Sequence, residues 1–320
     1  AAAFHIPKDW LPKDYALSDS TSSTLLKSYM HSYIARFSSQ VARKNSEANK
    51  LDWQIISDHA SKGAPFHYIG DGEFLWSRTQ YYTGVSRSWG RVDYKTIGPA
   101  DTTDGYTNWL GDGSDAAVQA RTVFNIGTID KRITAGQNSS DDSQLAGSYM
   151  LNEYRTRLVA SRGTYSQSHY WWTKTSKYGN DLNDSIVDLP MSELDLIQAE
   201  SSLRQENAGL AAFYINKSRT AKGGLPSLAS STSLGSYTDP PNGKKDATLW
   251  AAYKYEAILE NALLNPYSTL ALRRRWDDLV KGSLTMFPLP YDFIEFLILD
   301  SYTFGGQSNA GQPGTAGRKT

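Results

Sequence analysis

The side chains best suited to chemistry fall into four sets, and three of them lead away from catalysis. Carboxylates are sequence neighbours at Asp71 and Glu73 and at Asp141 and Asp142. A glycosidase needs two carboxyl groups at a defined separation across a cleft, and nearness in a polar loop does not supply that. The five histidines, His5, His31, His59, His67 and His169, show neither HExxH nor a paired ligand spacing. Cys is absent, which removes disulfides, thiolate nucleophiles and Cys-bearing zinc sites together. Phosphate-loop and dinucleotide-binding signatures are missing as well. The expectation is therefore a chain that is not an enzyme and uses no cofactor or metal.

The third set is the basic run Arg273, Arg274 and Arg275, followed by Trp276, Asp277 and Asp278. It has the form of a phosphate site, but acids follow at once and Glu256 and Glu260 lie just upstream. Ion pairs and Arg–Trp stacking are the favoured reading.

The fourth set is aromatic. Nine Trp and twenty Tyr lift the aromatic fraction to 12%. Trp76, Tyr81, Tyr82, Trp89, Tyr106 and Trp109 lie among glycines at 70, 72, 84, 90, 98, 105, 111 and 113. A flat ring offers an apolar face to a sugar or an apolar side chain at little rotamer cost, and glycine lets backbone approach a ligand. Two roles fit these rings: gripping a ligand, or packing the loops onto the rest of the molecule. Trp171 and Trp172, if on a strand, should split with one ring inward and one outward.

Helices must position these loops. The first is expected over about 24–44, with Leu26, Met30, Ile34 and Val41, joined by Leu25, Tyr29, Tyr33 and Phe37, on its buried face. A second runs over about 52–62, capped by Asp52 and stopped at Gly63; the pair reads as an αα-hairpin. Helical periodicity fails over 64–115. A helix is expected near 114–123, a polar loop over 134–148, and short strands near 156–160 and 168–175. After Pro190, Ser192 and Asp195 have the spacing of a capping box, with Met191 as its staple. The next helix begins near 207 and stops at Gly223–Gly224, completing a pair of tetratricopeptide type. A Ser/Gly/Pro-rich connection spans 225–245. Helices follow over about 246–264 and 268–280, then an apolar segment over 293–299. The expected organisation is 1–63 as an N-terminal helical hairpin region, 64–190 as a loop-rich aromatic region, 191–304 as a C-terminal helical region, and 305–320 as a flexible tail.

Lys+Arg and Asp+Glu both number 33, so the basic excess that nucleic acid demands is missing. No stretch approaches the ~20 apolar residues of a membrane span. Nor is a signal peptide evident at the start, because Phe4, His5, Ile6 and Pro7 make no apolar h-region.

Several short blocks, in order, resemble the SusD/RagB family of outer-membrane nutrient-binding proteins. Asp130-Lys131-Arg132 looks like its D-x-R element, and Leu196 to Glu200 like its L-nonpolar-x-A-E helix. Ile215-Asn216-Lys217-Ser218-Arg219 matches I-N-x-x-R. Leu249-Trp250 through Tyr255-Glu256 resembles the block before E-R-x-x-E-L, and Arg274 to Leu279 looks like R-R-W-x-D-L. Phe287-Pro288-Leu289-Pro290 looks like the closing F-P-I/V-P motif. Ala257 departs from the pattern where Arg is usual, as does Asn265-Pro266 where a Gly turn is common. Family members also extend further at the N-terminus, where a lipidated Cys and further helical repeats lie; the resemblance implies that this region, remnant apart, is missing here.

The resemblance implies a mainly α fold, with tetratricopeptide-like helical hairpins packed against a loop-rich half with few short strands. It implies non-catalytic capture of an oligosaccharide or peptide on the extracellular face of a bacterial outer membrane, beside a SusC-like TonB-dependent porin. Asp130, Arg132, Glu200, Asn216, Arg219, Arg275, Trp276 and Asp278 become family-motif residues with a structural role, Glu200, Asn216 and Arg219 forming one network that fixes adjacent helices. The alternative is a structural subunit of a surface assembly or filament, which the tyrosine-rich loops and zero net charge also suit.

Overall fold

A computed structural model describes residues 19–69, 91–112, 124–134, 147–152, 167–174, 185–262, 266–279 and 291–298. The described chain is mainly helical. Helix α1 (Asp19–Gln40) is followed by the single turn α2 (Asn45–Ala48) and by α3 (Trp53–Lys62). The Asp52 side chain accepts from the Ile55 amide and opens α3, as its type and position predict. Two short helices, α4 (Tyr94–Ile97) and α5 (Gly105–Gly111), come next, then the turn α6 (Lys131–Thr134). The C-terminal part holds α7 (Met191–Arg204), α8 (Ala208–Arg219), α9 (Leu249–Asn261), α10 (Pro266–Arg275) and α11 (Tyr291–Phe296).

The strands are short. β1 (Phe66–Ile69) pairs antiparallel with β5 (Ser185–Leu189), with an irregularity between Phe66 and His67. A second antiparallel sheet has the order β2 (Arg91–Asp93), β4 (Gln167–Trp172), β3 (Met150–Asn152). β4 is its central strand, and both Trp171 and Trp172 are buried. The expected inward–outward split fails because this strand is covered on both faces; Ser168, His169 and Tyr170 are buried too.

Three apolar clusters form the core. One joins α7, α8, α9 and α10 through residues such as Leu203, Ile215, Trp250, Ile258 and Trp276. A second gathers Val92, Tyr94, Ile97, Trp109, Ile133 and Tyr170 against Tyr255 and Leu259 of α9. A third packs Ala35 of α1 and Trp53, Ile56 and Ala60 of α3 against Leu189, Leu194 and Ile197. Helix α9 serves two of the three clusters, and every one of its residues is buried. A helix in that position has no solvent face, so its Lys254, Glu256 and Glu260 must all be paired inside the protein.

Two helix expectations need correction. Helix α1 turns Ser32, Ala35, Arg36 and Ser39 inward and leaves Met30, Ile34 and Phe37 exposed, as is Val41 just past its end, Phe37 and Val41 by about 60%. The buried face is small and polar because Arg36 has bidentate bonds waiting for it: its Nε and Nη2 each donate to the Glu193 carboxylate at 2.7 Å. The capping box before α7 does not form either. The helix begins at Met191, Pro190 stands at the N-cap without a side-chain bond, and Met191 is exposed instead of serving as a staple. Glu193 and Asp195 are instead committed to Arg36 and Lys217. Helix α8 ends at Arg219, before the glycine pair, and Gly224 takes a φ of +62° in the turn beyond it.

Candidate functional site

Of the six candidate ligand-binding rings, Trp76, Tyr81, Tyr82 and Trp89 lie outside the described residues. So do the candidate acids Asp71, Glu73, Asp141 and Asp142, the segments 114–123 and 156–160, and the Phe287–Pro290 motif. Tyr106 and Trp109 are described, and they pack. α5 places them three residues apart on its inward side. Trp109 is 5% exposed, with its ring 5.3 Å from Tyr94 and 6.2 Å from Tyr106. The Tyr106 ring lies on Gly98, where a Cβ would come within 2.1 Å of it. Burial, with a contribution from Asp93, pushes the Tyr106 phenol up to about 12. Trp109 is thus a core ring, and Tyr106 is partly buried against the same cluster.

Two of the residues singled out in the sequence, Asp130 and Arg132, belong to a fully buried polar constellation among the described residues. The turn at Asp130 presents Arg132, fully buried, to α9. Its Nε and Nη2 donate to Asp130 at 2.9 and 2.7 Å, and its Nη1 and Nη2 donate to Glu256 at 2.5 and 3.0 Å. The guanidinium is thus bidentate on two sides at once, the use its planar fork suits best. Ser218 Oγ donates to Glu256 at 2.7 Å, and the Tyr255 hydroxyl to Asp130 at 2.7 Å. Glu260, one turn along α9, receives Lys222 Nζ at 2.7 Å and the Tyr149 hydroxyl at 2.9 Å, and lies 3.7 Å from Lys174 Nζ. Burial alone would raise the Glu260 carboxyl, but Lys174, Lys222 and Arg132 hold it well below the usual range. Burial drives Lys174 down to about 8, against the pull of Glu260.

A second constellation surrounds Glu200 of α7. Arg275 donates to it through Nε and Nη2, the Tyr253 hydroxyl at 2.5 Å, Arg204 Nε at 2.9 Å, and the Trp276 indole at 3.2 Å. Burial works to raise this carboxyl too, yet Arg275 and then Arg204, with bonds from Arg275 and Tyr253, bring it to about 2. The ion pair and Arg–Trp contact expected of the arginine run form at Arg275, with Glu200 and with the Trp276 ring at 5.9 Å, but the upstream acids Glu256 and Glu260 are not its partners. Arg132 has taken those acids, while Arg275 turns to Glu200 and Arg274 donates to the carbonyls of Gln40 and Ala42.

Asn216 and Arg219 do something different from the single network expected of them with Glu200. Asn216 donates to the Leu228 carbonyl and accepts from the Leu228 amide, both at 2.9 Å. Arg219 donates to the carbonyls of Pro226 and Lys244 at 2.8 and 2.6 Å. Together they pin the long 225–245 connection to α8, satisfying backbone groups that the loop cannot pair by itself. Asp278 pairs with Lys254 of α9 at 3.2 Å.

Chemically, these constellations hold helices together. Their acids have no solvent access, and the cavity between α1, α7, α9 and α10, beside Glu193, Tyr253, Asn261 and Arg275, has room for about one water. The spacing of 130, 200, 256 and 275 gave no hint that α9 lies at both constellations, through Glu256 and through Tyr253. Arg36 with Glu193 and Asp188 was missed altogether, since 152 and 157 residues separate the partners. Among the described residues no group of three or more His, Asp or Glu side chains could hold a metal, and no helix is long and apolar enough to cross a membrane. No protein-family model matches this chain, and no curated protein or solved structure is detectably similar to it.

Proposed function

We propose that this chain is a non-catalytic nutrient-binding protein of SusD/RagB type, which captures an oligosaccharide or peptide beside a TonB-dependent outer-membrane porin. One observation carries the reading. Four of the sequence blocks that resemble the family, spread from Asp130 to Asp278, meet on α9, which itself carries a fifth. Arg132 meets Glu256, Glu200 meets Tyr253, Ser218 meets Glu256, and Asp278 meets Lys254. The antiparallel pair α7–α8, closed over α9, is read on this basis as a tetratricopeptide-like hairpin.

The ligand is assigned to the rings of 76–89, now that Tyr106 and Trp109 belong to the core. The test is a glycan and peptide array followed by Trp76→Ala, Tyr81→Ala, Tyr82→Ala and Trp89→Ala. These variants should bind the array ligand at least tenfold more weakly with an unchanged melting temperature. Loss of binding only in step with loss of stability would overturn the assignment, as would an array without hits.

A second reading, a subunit of a surface assembly or filament, is favoured by the exposed apolar stripe Met30, Ile34 and Phe37 on α1, continued by Val41 just past its end. Its 4-3-4 spacing forms one exposed ridge. Electron microscopy of the native protein separates the two: ordered filaments favour assembly, and a single subunit capping a barrel favours uptake.

A further inference from the structure

His31 of α1 and His59 of α3 face each other with their Nδ1 atoms 2.7 Å apart. The rings are tilted by 43°, with centroids 4.9 Å apart, and both side chains are only half buried. Two neutral imidazoles in this arrangement share one proton, so one Nδ1 is a donor and the other a bare lone pair. The same convergence is what a metal ion needs from two histidines. We propose that His31 and His59 form an open, two-imidazole site for a divalent transition metal of the zinc, nickel and copper class, with water or an outside donor completing the coordination.

Three features support the site. The helices that carry it are fixed to each other. Ala35, Ile56 and Ala60 pack between them, and Ser32, next to His31, donates to the Ala64 carbonyl at 2.7 Å and accepts from the Ala64 amide at 2.8 Å. The geometry requires little adjustment: metal–nitrogen bonds of about 2.0–2.1 Å at a tetrahedral angle separate two nitrogens by about 3.3 Å, a small opening for side chains with a solvent-facing side. Imidazole nitrogen is also the ligand these metals prefer. The chain supplies two ligands here, consistent with the lack of any three-ligand group among the described residues.

The experiment is calorimetric titration of the chelator-treated full chain with Zn2+ and with Ni2+, paired with long-range 1H–15N spectra of the imidazoles. Saturable 1:1 binding in the micromolar range is expected, with the Nδ1 resonances of His31 and His59 both moving. His31→Ala and His59→Ala should each weaken binding more than tenfold, while His5→Ala and His67→Ala leave it unchanged. Equal binding by wild type and both core-pair variants would overturn the proposal. So would unmoved His31 and His59 resonances at saturating metal, a result that needs no variant to fold and that leaves a simple N–H···N hydrogen bond as the role of the pair.

Discussion

Replacing Arg132 by Met should be among the most damaging single changes available to this protein. The guanidinium occupies both oxygens of Asp130 and both of Glu256, all at 0% side-chain exposure. Without it, Asp130 keeps the Tyr255 hydroxyl and one backbone amide, and Glu256 keeps only the Ser218 hydroxyl. Removing one partner of a buried ion pair costs about 3–5 kcal/mol, because the other charge stays behind in a medium that cannot solvate it. That is a large share of the ~5–15 kcal/mol that holds a typical domain folded. Urea unfolding of Arg132→Met, Glu256→Met and the double variant reads the effect through the midpoint at constant slope. Each single variant should lose about 3–5 kcal/mol. The double variant should be no worse than Arg132→Met alone, since a neutral pair of similar volume replaces a charged one. Additive losses, with a coupling below about 0.5 kcal/mol, would refute the claim that these charges depend on each other.

Other expectations follow from the same constellations. The Glu200 carboxyl is brought from 4.5 to about 2 in the folded protein. A depressed carboxylate contributes its stability above the unfolded value and loses it as pH falls through the folded one, so about 3 kcal/mol should disappear between about pH 5 and pH 2. Glu200→Gln should be less stable at pH 7 and flatter over that acid window, as measured by denaturation at several pH values. Asn216→Ala should cost about 1–2 kcal/mol and speed amide exchange selectively within 225–245. Phe37→Ser, on the exposed ridge of α1, should change stability by less than about 0.5 kcal/mol, whereas Trp109→Ala should cost about 3–5 kcal/mol.

How much of this was legible in the sequence depended on how local the cause was. Asp52 before an apolar-periodic run is a short-range capping signal, and the helix starts where that residue stands. The inward face of α1 was misread because periodicity counts apolar residues and takes that side as buried. Here the inward side is decided by Arg36 finding Glu193 and Asp188, partners that no local window contains. The same holds for Trp171 and Trp172: alternation along a strand assumes one wet face, and β4 has none. The motif blocks were visible as blocks, but their convergence on α9 is a property of the folded chain. Of the candidate site, the packing of Tyr106 and Trp109 was hidden by glycines at 105 and 111, which argue against helix yet bound one here. The His31–His59 pair sits 28 residues apart on two helices, so motif spacing could not reveal it.

Helix α1 receives its finishing bonds from the far end of the chain. The carbonyls of Ser39, Gln40 and Ala42 accept from Arg275 and Arg274, 236, 234 and 232 residues downstream. During synthesis at about 5–20 residues per second, that gap is a wait of roughly 10–50 s. Throughout it the nascent N-terminal segment carries both an apolar ridge and an uncompleted polar side. Shortening the chain before residue 274 should therefore remove both arginines from these carbonyls and leave a product that holdase chaperones retain and proteases clear.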